Sequence, residues 1–221
     1  MYKKIFAGGA LLLCVSCGAG TPSETVSTDS ASGSMMEMAS MRKEQITDVK
    51  MVIEQQSAYV ISLLQKNDFS ALASQVHPEK GLLLSADIHL DDKTFPRQII
   101  ARKELAGFLK NTTPRIWGSN GYTELPLRMT GKEFWETWVY TRTITLNSPR
   151  AFDEVRITDV NKVAAAEMMQ KRFPNSHFVE YSVLSSSTGE VKEKDWSLRL
   201  VFSEYNGQWY LVGIVRDQFI A

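Results

Sequence analysis

Acidic and imidazole side chains near the ends of apolar segments are the residues of this sequence best suited to acid–base chemistry. Apolar surroundings raise the pKa of an acid and suit it to act as a general acid or base. Asp217 closes an apolar segment near the C-terminus, and its alternative role is a strand-end salt bridge with Arg199 or Arg216. His177 begins another apolar segment, where it either enters a cavity mouth or simply ends a strand. These two residues are the candidates for catalysis, and neither is assigned.

Two more histidines have structural interpretations beside the chemical ones. His77 precedes Pro78 at the predicted end of a helix, where an imidazole bonds to a free backbone carbonyl or interacts with the helix dipole. His89 lies between Asp87 and Asp91, and on a strand the three side chains would share one side, as metal ligands do. The polar composition of this segment favours a solvated loop, so no metal site is predicted.

Tryptophans are the candidates for ligand binding. Trp117 and Trp196, together with Asp217, form the predicted lining of a ligand pocket, because aromatic side chains are common in such cavities. The alternative is that the tryptophans fill the core. The sequence contains no phosphate-binding glycine loop, nucleophile elbow or zinc-protease pair, and no cofactor is predicted.

Composition narrows the class of protein further. The 25 Lys and Arg residues equal the 25 Asp and Glu residues, which argues against nucleic acid as a partner, because phosphate binding needs a basic excess. Hydrophobic residues make up 43% of the 221-residue chain, which is enough for a folded core. The two cysteines are too few for a disulfide framework or a four-thiolate zinc site.

The N-terminus has the pattern of a secretory signal. Two lysines precede an apolar run from 5 to 15 that is too short to span a bilayer as a helix. Ser16 and Cys17 follow, and together with the run they resemble the lipobox of bacterial lipoproteins. The resemblance implies that residues 1–16 are a cleaved signal peptide and that Cys17 carries lipid. The chain is therefore predicted to be anchored in a membrane of the bacterial cell envelope through its N-terminal lipid.

The segment after the signal peptide is poor in apolar residues. Residues 17–40 are rich in Ser, Thr and Gly and cannot offset the entropy of ordering, so they are predicted to form a lipidated, flexible tether. Four methionines at positions 35, 36, 38 and 41 can bind copper(I) through their thioethers, but a flexible lead-in to a helix is the favoured interpretation. The folded domain is predicted to span residues 41–221.

Periodicity predicts that helices come first and long strands last. Helical spacing and capping signals predict helices at 46–67, 69–76, 102–110, 131–139 and 163–173. Apolar runs bounded by turn residues predict strands at 82–84, 116–118, 125–127, 177–184, 196–205 and 208–219.

The last two strands are predicted to form a hairpin. The Asn-Gly dipeptide at 206–207 is the strongest short-range hairpin signal, and a two-residue loop fixes the register. That register places Phe202 opposite Leu211 and Trp196 opposite Asp217. Both faces of the hairpin are largely apolar, so one must cover helices and the other must meet a second layer or a partner. A homodimer through this C-terminal sheet is one such arrangement.

The order of elements and several local segments resemble a known group of proteins. These segments are Asp68 to Gly81, Trp117-Gly118-Ser119, 178–181 and Leu198 to Ile214. They resemble uncharacterised bacterial lipoproteins that have a nuclear-transport-factor-2-like domain. The resemblance implies an α+β fold in which a strongly bent antiparallel sheet wraps around N-terminal helices as a cone-like barrel with a pocket. It implies no activity, because the wider fold includes isomerases, dehydratases and many non-catalytic binding domains.

The predicted function follows from these features. We expect a membrane-anchored envelope lipoprotein that binds a small ligand or another envelope protein without catalysis. The alternative is a small isomerase, dehydratase or hydrolase that uses an acid, Asp217, in the cavity of the cone. A third interpretation is a structural dimer whose cone is filled by side chains.

Overall fold

A computed structural model describes residues 29–119, 125–140, 143–158, 160–184 and 195–218. The chain divides into two units, residues 1–43 and 44–221, and the sheet belongs to the second. In chain order the elements are α1 (Asp29–Gln65), α2 (Phe69–Gln75), β1 (Leu82–Ser85), β2 (Ile99–Ile100), a 3₁₀ helix (Arg102–Lys110), β3 (Arg115–Ser119), β4 (Pro126–Met129), α3 (Gly131–Phe134) continued by a π turn (Trp135–Val139), β5 (Arg150–Phe152), α4 (Lys162–Arg172), β6 (Ser176–Val183), β7 (Trp196–Tyr205) and β8 (Gln208–Gln218). The α+β class is confirmed.

Helix α1 begins at Asp29, inside the segment predicted to be a flexible tether. Met, Ala and Glu in this segment have high helix propensity, and extending a helix costs far less free energy than starting one. The methionines at 35, 36, 38 and 41 are each at least 62% exposed. This part of α1 therefore forms through propensity, whereas Ile53, Val60 and Leu64 further along are buried in the core.

The short helix α2 follows its sequence signals closely. The Asp68 side chain accepts a hydrogen bond from the Ala71 backbone N–H at 2.9 Å, which confirms the predicted N-cap. The helix ends at Gln75, three residues before Pro78. Gly81 has a φ of +69°, and a side chain there would collide with the Ile100 carbonyl, so glycine is needed where the chain turns into β1.

Six strands form one sheet in the order β2-β1-β8-β7-β6-β5. Neighbouring strands are antiparallel except for β1 and β8, which run parallel, so the predicted all-antiparallel sheet is wrong at this pair. Parallel pairing needs a long connection, and every middle element lies between β1 and β8 in the chain. Strands β2 and β5 form the two edges, so the described part of the sheet does not close into a barrel.

The β7–β8 hairpin has the predicted turn but only part of the predicted register. Asn206 and Gly207 have φ values of 52° and 73°, as a type I′ turn requires. The pairing of Phe202 with Leu211 is confirmed, but a bulge lies directly beyond it, between Val201 and Phe202. Gly213 lies at this bulge. A side chain at position 213 would collide with the ring of Phe173, which packs directly against the glycine backbone.

The bulge shifts every pair beyond it by one residue. Trp196 pairs with Gln218 and not with Asp217, and Asp217 pairs with Ser197. Because side chains alternate between faces of a strand, this shift moves Asp217 to the face opposite Trp196. The predicted contact between Asp217 and Trp196 is therefore wrong.

Two apolar cores lie on the two faces of the sheet. The larger is formed by α1, α2, the 3₁₀ helix and the inner face of β6–β8, and it includes Trp117 and Trp135. The smaller lies under α4, where Met169 and Phe173 pack on Val201, Val212 and Val215. Helix α4 thus supplies a second layer over part of this face, which is one of the two predicted options.

The middle elements were also anticipated by local signals. Thr130 and Glu133 form the predicted capping box, with backbone-to-side-chain bonds of 2.8 and 3.2 Å in the two directions. The predicted helices at 102–110 and 163–173 are present as the 3₁₀ helix and α4. The turn predicted at Asn120 and Gly121 lies outside the described residues.

Candidate functional site

Asp217, the first candidate acid, lies in a buried ion pair. Its side chain is 1% exposed, and its Oδ2 atom is 2.8 Å from Nη1 of Arg199. The bulge in the hairpin explains the contact, because Arg199 and Asp217 then project from the same face of neighbouring strands. The salt-bridge interpretation of Asp217 is confirmed, with Arg199 as its partner.

Glu180 completes this cluster from strand β6. Its Oε2 accepts from Nε of Arg199 at 2.9 Å, and its Oε1 accepts from the backbone N–H groups of Arg156 and Ile157, both at 3.0 Å, and from Ser182 Oγ at 3.3 Å. Glu180, Arg199 and Asp217 are called the ion triad below. Burial raises the pKa of Glu180, while the positive charge of Arg199 opposes that rise.

The ion triad bonds the segment between β5 and α4 to the sheet through the backbone of residues 156 and 157. Nη2 of Arg199 donates to the Ile157 carbonyl at 2.5 Å, and Ser197 Oγ donates to the same oxygen at 3.2 Å. Four cavities on the described part of the chain are lined by other residues. With both carboxylates bonded to Arg199 in the interior, the arrangement suits structural support better than acid–base chemistry.

Glu180 was missed by sequence reasoning, although a signal was available. Glu180 and its neighbour Tyr181 point to opposite faces of β6. Both side chains are fully buried, because both faces of the sheet are covered. Arg199 lies directly opposite Glu180 in the β6–β7 pair, and opposite charges facing each other in two apolar strands are the pattern that would have revealed the pair.

His177, the second candidate, forms a pair with Asp153. Its Nδ1 atom lies 2.6 Å from Asp153 Oδ2, and the other carboxylate oxygen accepts from the Phe178 backbone N–H at 2.8 Å. The Phe152 ring stacks on the imidazole at a centroid distance of 5.3 Å, and the Trp209 ring meets it at 5.2 Å. Because a carboxylate only accepts hydrogen bonds, Nδ1 is the donor and Nε2 is left for other partners.

An open cleft of about 740 Å³ lies beside this pair, between α4 and the start of β6. It is called the α4 cleft here, and its wall includes Val163, Met169, Gln170, Phe173, His177 and Val201. Val163, at the wall of this cleft, is 66% exposed. The volume of the α4 cleft lies within the range of about 300–1,000 Å³ that is common for ligand sites.

Ser176 is not placed to act as a nucleophile activated by the His177–Asp153 pair. Ser176 also lines the α4 cleft, but it neighbours His177 on one strand, so the two side chains point to opposite faces. Its hydroxyl donates to the Pro174 carbonyl at 3.4 Å. His177 can therefore accept or release a proton through Nε2, but it cannot activate Ser176.

The three residues predicted to line a ligand pocket are not brought together. Trp117 is 1% exposed, stacks on Phe134 at 4.6 Å and donates its indole N–H to the Met129 carbonyl at 2.9 Å. Trp196 is also buried, and the Arg216 guanidinium lies 4.5 Å from its ring centroid. Both tryptophans belong to the larger core, as the core-filling alternative has it.

The two other histidines have different surroundings. His77 is 1% exposed, and its Nδ1 accepts from the backbone N–H groups of Glu79 and Lys80 at 3.2 and 3.0 Å. It thus binds donors of the turn and not the helix carbonyl that was predicted. Burial, and then the nearby Lys80 charge, lower the pKa of His77. His89 is exposed in the polar segment after β1, and no group of three metal-binding side chains occurs among the described residues.

None of the helices in the described ranges is both long and apolar enough to cross a membrane. No family model, no curated protein and no solved structure matches this chain.

Proposed function

We propose that this chain is a lipoprotein of the bacterial cell envelope, anchored through Cys17, whose folded part is a non-enzymatic binding or interaction module. The anchor is supported by the lipobox resemblance at the N-terminus, which also implies the envelope location. The module is proposed to have the cone-like, nuclear-transport-factor-2-like fold. The placement of α1 and α2 on one face of a six-stranded sheet supports that fold.

The α4 cleft is the observation that carries the binding function. It combines apolar wall residues, including the exposed Val163, with polar groups such as Gln170 and the His177–Asp153 pair. Apolar area supplies affinity, and a few polar groups fix orientation, which is the usual composition of a binding site. Another envelope protein or a small ligand would occupy this cleft, with Val163 at the contact.

The structure leaves fewer candidate catalytic residues for the enzyme alternative than the sequence offered. Asp217 is not proposed as an acid catalyst, because its buried carboxylate accepts a hydrogen bond from Arg199. The observation that favours catalysis is the His177–Asp153 pair, in which Asp153 orients the imidazole for proton transfer at Nε2. A small isomerase or dehydratase, which needs proton transfer but no protein nucleophile, is the second candidate.

Site-specific photocrosslinking tests the binding function. The photoreactive residue p-benzoylphenylalanine replaces Val163 in cells that produce the protein, and the matched control carries it at Lys66, an exposed residue outside the cleft lining. We expect an adduct at position 163 and none at position 66, with its mass identifying a protein, a small ligand or a second copy. Equal labelling at the two positions, or none at either, would contradict the proposed site.

Catalysis is tested separately. If the cleft only binds, Asp153→Asn should weaken the adduct at Val163, because the His177–Asp153 pair lines the cleft, and the purified protein should convert no small carbonyl compound. If the purified protein converts a small carbonyl compound and Asp153→Asn abolishes the conversion, the isomerase or dehydratase candidate replaces the binding module.

A further inference from the structure

A second depression, of about 340 Å³, lies on the other side of Phe173 from the α4 cleft. Its wall includes Lys80, Leu83, Ile99, Arg172, Phe173 and Val212, and it is called the basic depression here. It differs from the α4 cleft in charge, because its two charged wall residues are both cations. Cations that share one concave surface favour a ligand with negative charge.

The two cations have donors to spare. Lys80 Nζ donates to Ser203 Oγ at 2.7 Å, which uses one of the three ammonium hydrogens. The neighbouring acid, Glu79, is bonded to the Tyr205 hydroxyl at 2.8 Å. Among the described residues, neither Lys80 nor Arg172 has a carboxylate within 4.0 Å. Arg172 is near enough to Asp91 to lower the pKa of that carboxyl, but neither cation forms an ion pair among the described residues, so a bound anion can accept their remaining hydrogen bonds.

The rest of the wall is apolar and partly exposed. Leu83, Val212 and Phe173 belong to the smaller core and are 2%, 5% and 8% exposed. Ile99 is 49% exposed, and it adds a large aliphatic side chain to the rim. Burying this chain against a ligand would remove apolar area from water, at about 25 cal/mol per Å².

We propose that the basic depression binds a small carboxylate with a short apolar chain. The carboxylate lies between Lys80 and Arg172, where the planar guanidinium can donate two hydrogen bonds, and the apolar chain lies against Ile99 and Phe173. A volume of about 340 Å³ is at the lower end for ligand sites, so the chain must be short. The inference goes beyond the proposed function, because the basic depression and the α4 cleft are different cavities.

Hexanoate is the probe that tests the ligand class. Isothermal titration of the full-length protein in lipid nanodiscs, with empty nanodiscs as background, compares hexanoate with hexanamide, acetate and inorganic phosphate. Hexanamide lacks the charge, and acetate and phosphate lack the apolar chain. We expect hexanoate to bind at least tenfold more tightly than each of the three. Equal affinity for hexanoate and hexanamide would show that the cations do not contribute to binding. Equal affinity for hexanoate and acetate would show that the apolar wall does not contribute.

Variants locate the site. Lys80→Met and Arg172→Met should each weaken hexanoate binding about tenfold or more, the size expected when a charge-assisted hydrogen bond is lost. Ile99→Asp adds a like charge at the rim and should abolish binding even if Lys80→Met does not fold. The matched control, Lys110→Met, removes an exposed lysine outside the depression and should leave the affinity unchanged.

Two results would overturn the proposal independently of the α4 cleft. The first is unchanged hexanoate affinity in Arg172→Met and Ile99→Asp. The second is labelling by an alkyl-diazirine carboxylate that mass spectrometry maps away from Ile99 and Phe173. Either result leaves the crosslink at Val163 as a separate measurement, so failure of this ligand class is distinguishable from failure of the binding module.

Discussion

Replacing Arg199 with methionine should destabilise the protein more than any comparable surface substitution. Arg199 is fully buried and donates to Glu180 at 2.9 Å, to Asp217 at 2.8 Å and to the Ile157 carbonyl. Methionine fills a similar length, so the main change is chemical: Glu180 and Asp217 each lose the hydrogen bond and the positive charge of the guanidinium. Each carboxylate must then stay charged in the interior without that positive charge or take up a proton.

The expected loss follows from these contacts. Removing one member of a buried ion pair typically costs about 3–5 kcal/mol, and the Ile157 carbonyl keeps its hydrogen bond from Ser197. The free energy of unfolding of a domain is only about 5–15 kcal/mol in total. We therefore expect Arg199→Met to lose at least about 3 kcal/mol, a large part of the stability.

Urea unfolding at pH 7, followed by circular dichroism, measures this loss. The control is Arg115→Met, which removes a partly exposed ion pair with Glu104 and should cost less than about 1 kcal/mol. The triple variant Glu180→Gln, Arg199→Met, Asp217→Asn removes the charges together and should recover part of the loss. A loss below about 1 kcal/mol for Arg199→Met alone would refute the reasoning that the carboxylates depend on Arg199.

Four further outcomes are expected. Burial raises the folded-state pKa of Glu180 above its usual value near 4.5, so the contribution of Glu180 to stability is present below pH 4.5 and is lost as the pH rises through the folded pKa. Relative to Glu180→Gln, the stability of the wild type in urea should therefore fall as the pH rises, and parallel pH profiles of the two proteins would contradict this. The pKa of buried His77 is lowered from 6.5, so its contribution is present above pH 6.5 and lost as pH falls; the melting temperature should drop on acidification, and His77→Gln should flatten that slope, whereas an unchanged slope would exclude His77 as the cause. Cys17→Ala should move the protein from the membrane fraction to the soluble envelope fraction, and unchanged fractionation would exclude the lipobox. Gly207→Val should lower the melting temperature, because position 207 has a φ of +73°; an unaffected value would show that this turn is not needed.

Local signals predicted the fold well where a few neighbouring residues decide the structure. The Asp68 cap, the Thr130 capping box and the turn at 206–207 each depend on residues within a few positions of one another, and all three are present. The bulge beside Phe202 depends on the ring of Phe173, which is distant in sequence. No local pattern encodes that contact, so the register was predicted correctly only up to the bulge.

The candidate site shows the same division. The salt-bridge interpretation of Asp217 needed only the presence of arginines in the same hairpin, and it held. The His177–Asp153 pair joins β6 to the residue after β5, a short strand that periodicity did not predict, so its second member was missed. The strands β1 and β8 were both predicted, but their parallel pairing was not. Residues that are separated by most of the chain carry no shared sequence signal from which such a pairing could be predicted.

The position of β8 in the sheet has a consequence for how the protein folds. This strand is the last in chain order, yet it is the one that joins the β2–β1 pair to the β7–β6–β5 sheet. Until β8 is available, the described strands cannot assemble as one sheet, and apolar edges of β1 and β7 stay exposed. Sheets that depend on such distant pairings fold slowly and are prone to aggregate on the way. We therefore expect the nascent chain to expose these apolar strands until residues 208–218 have emerged.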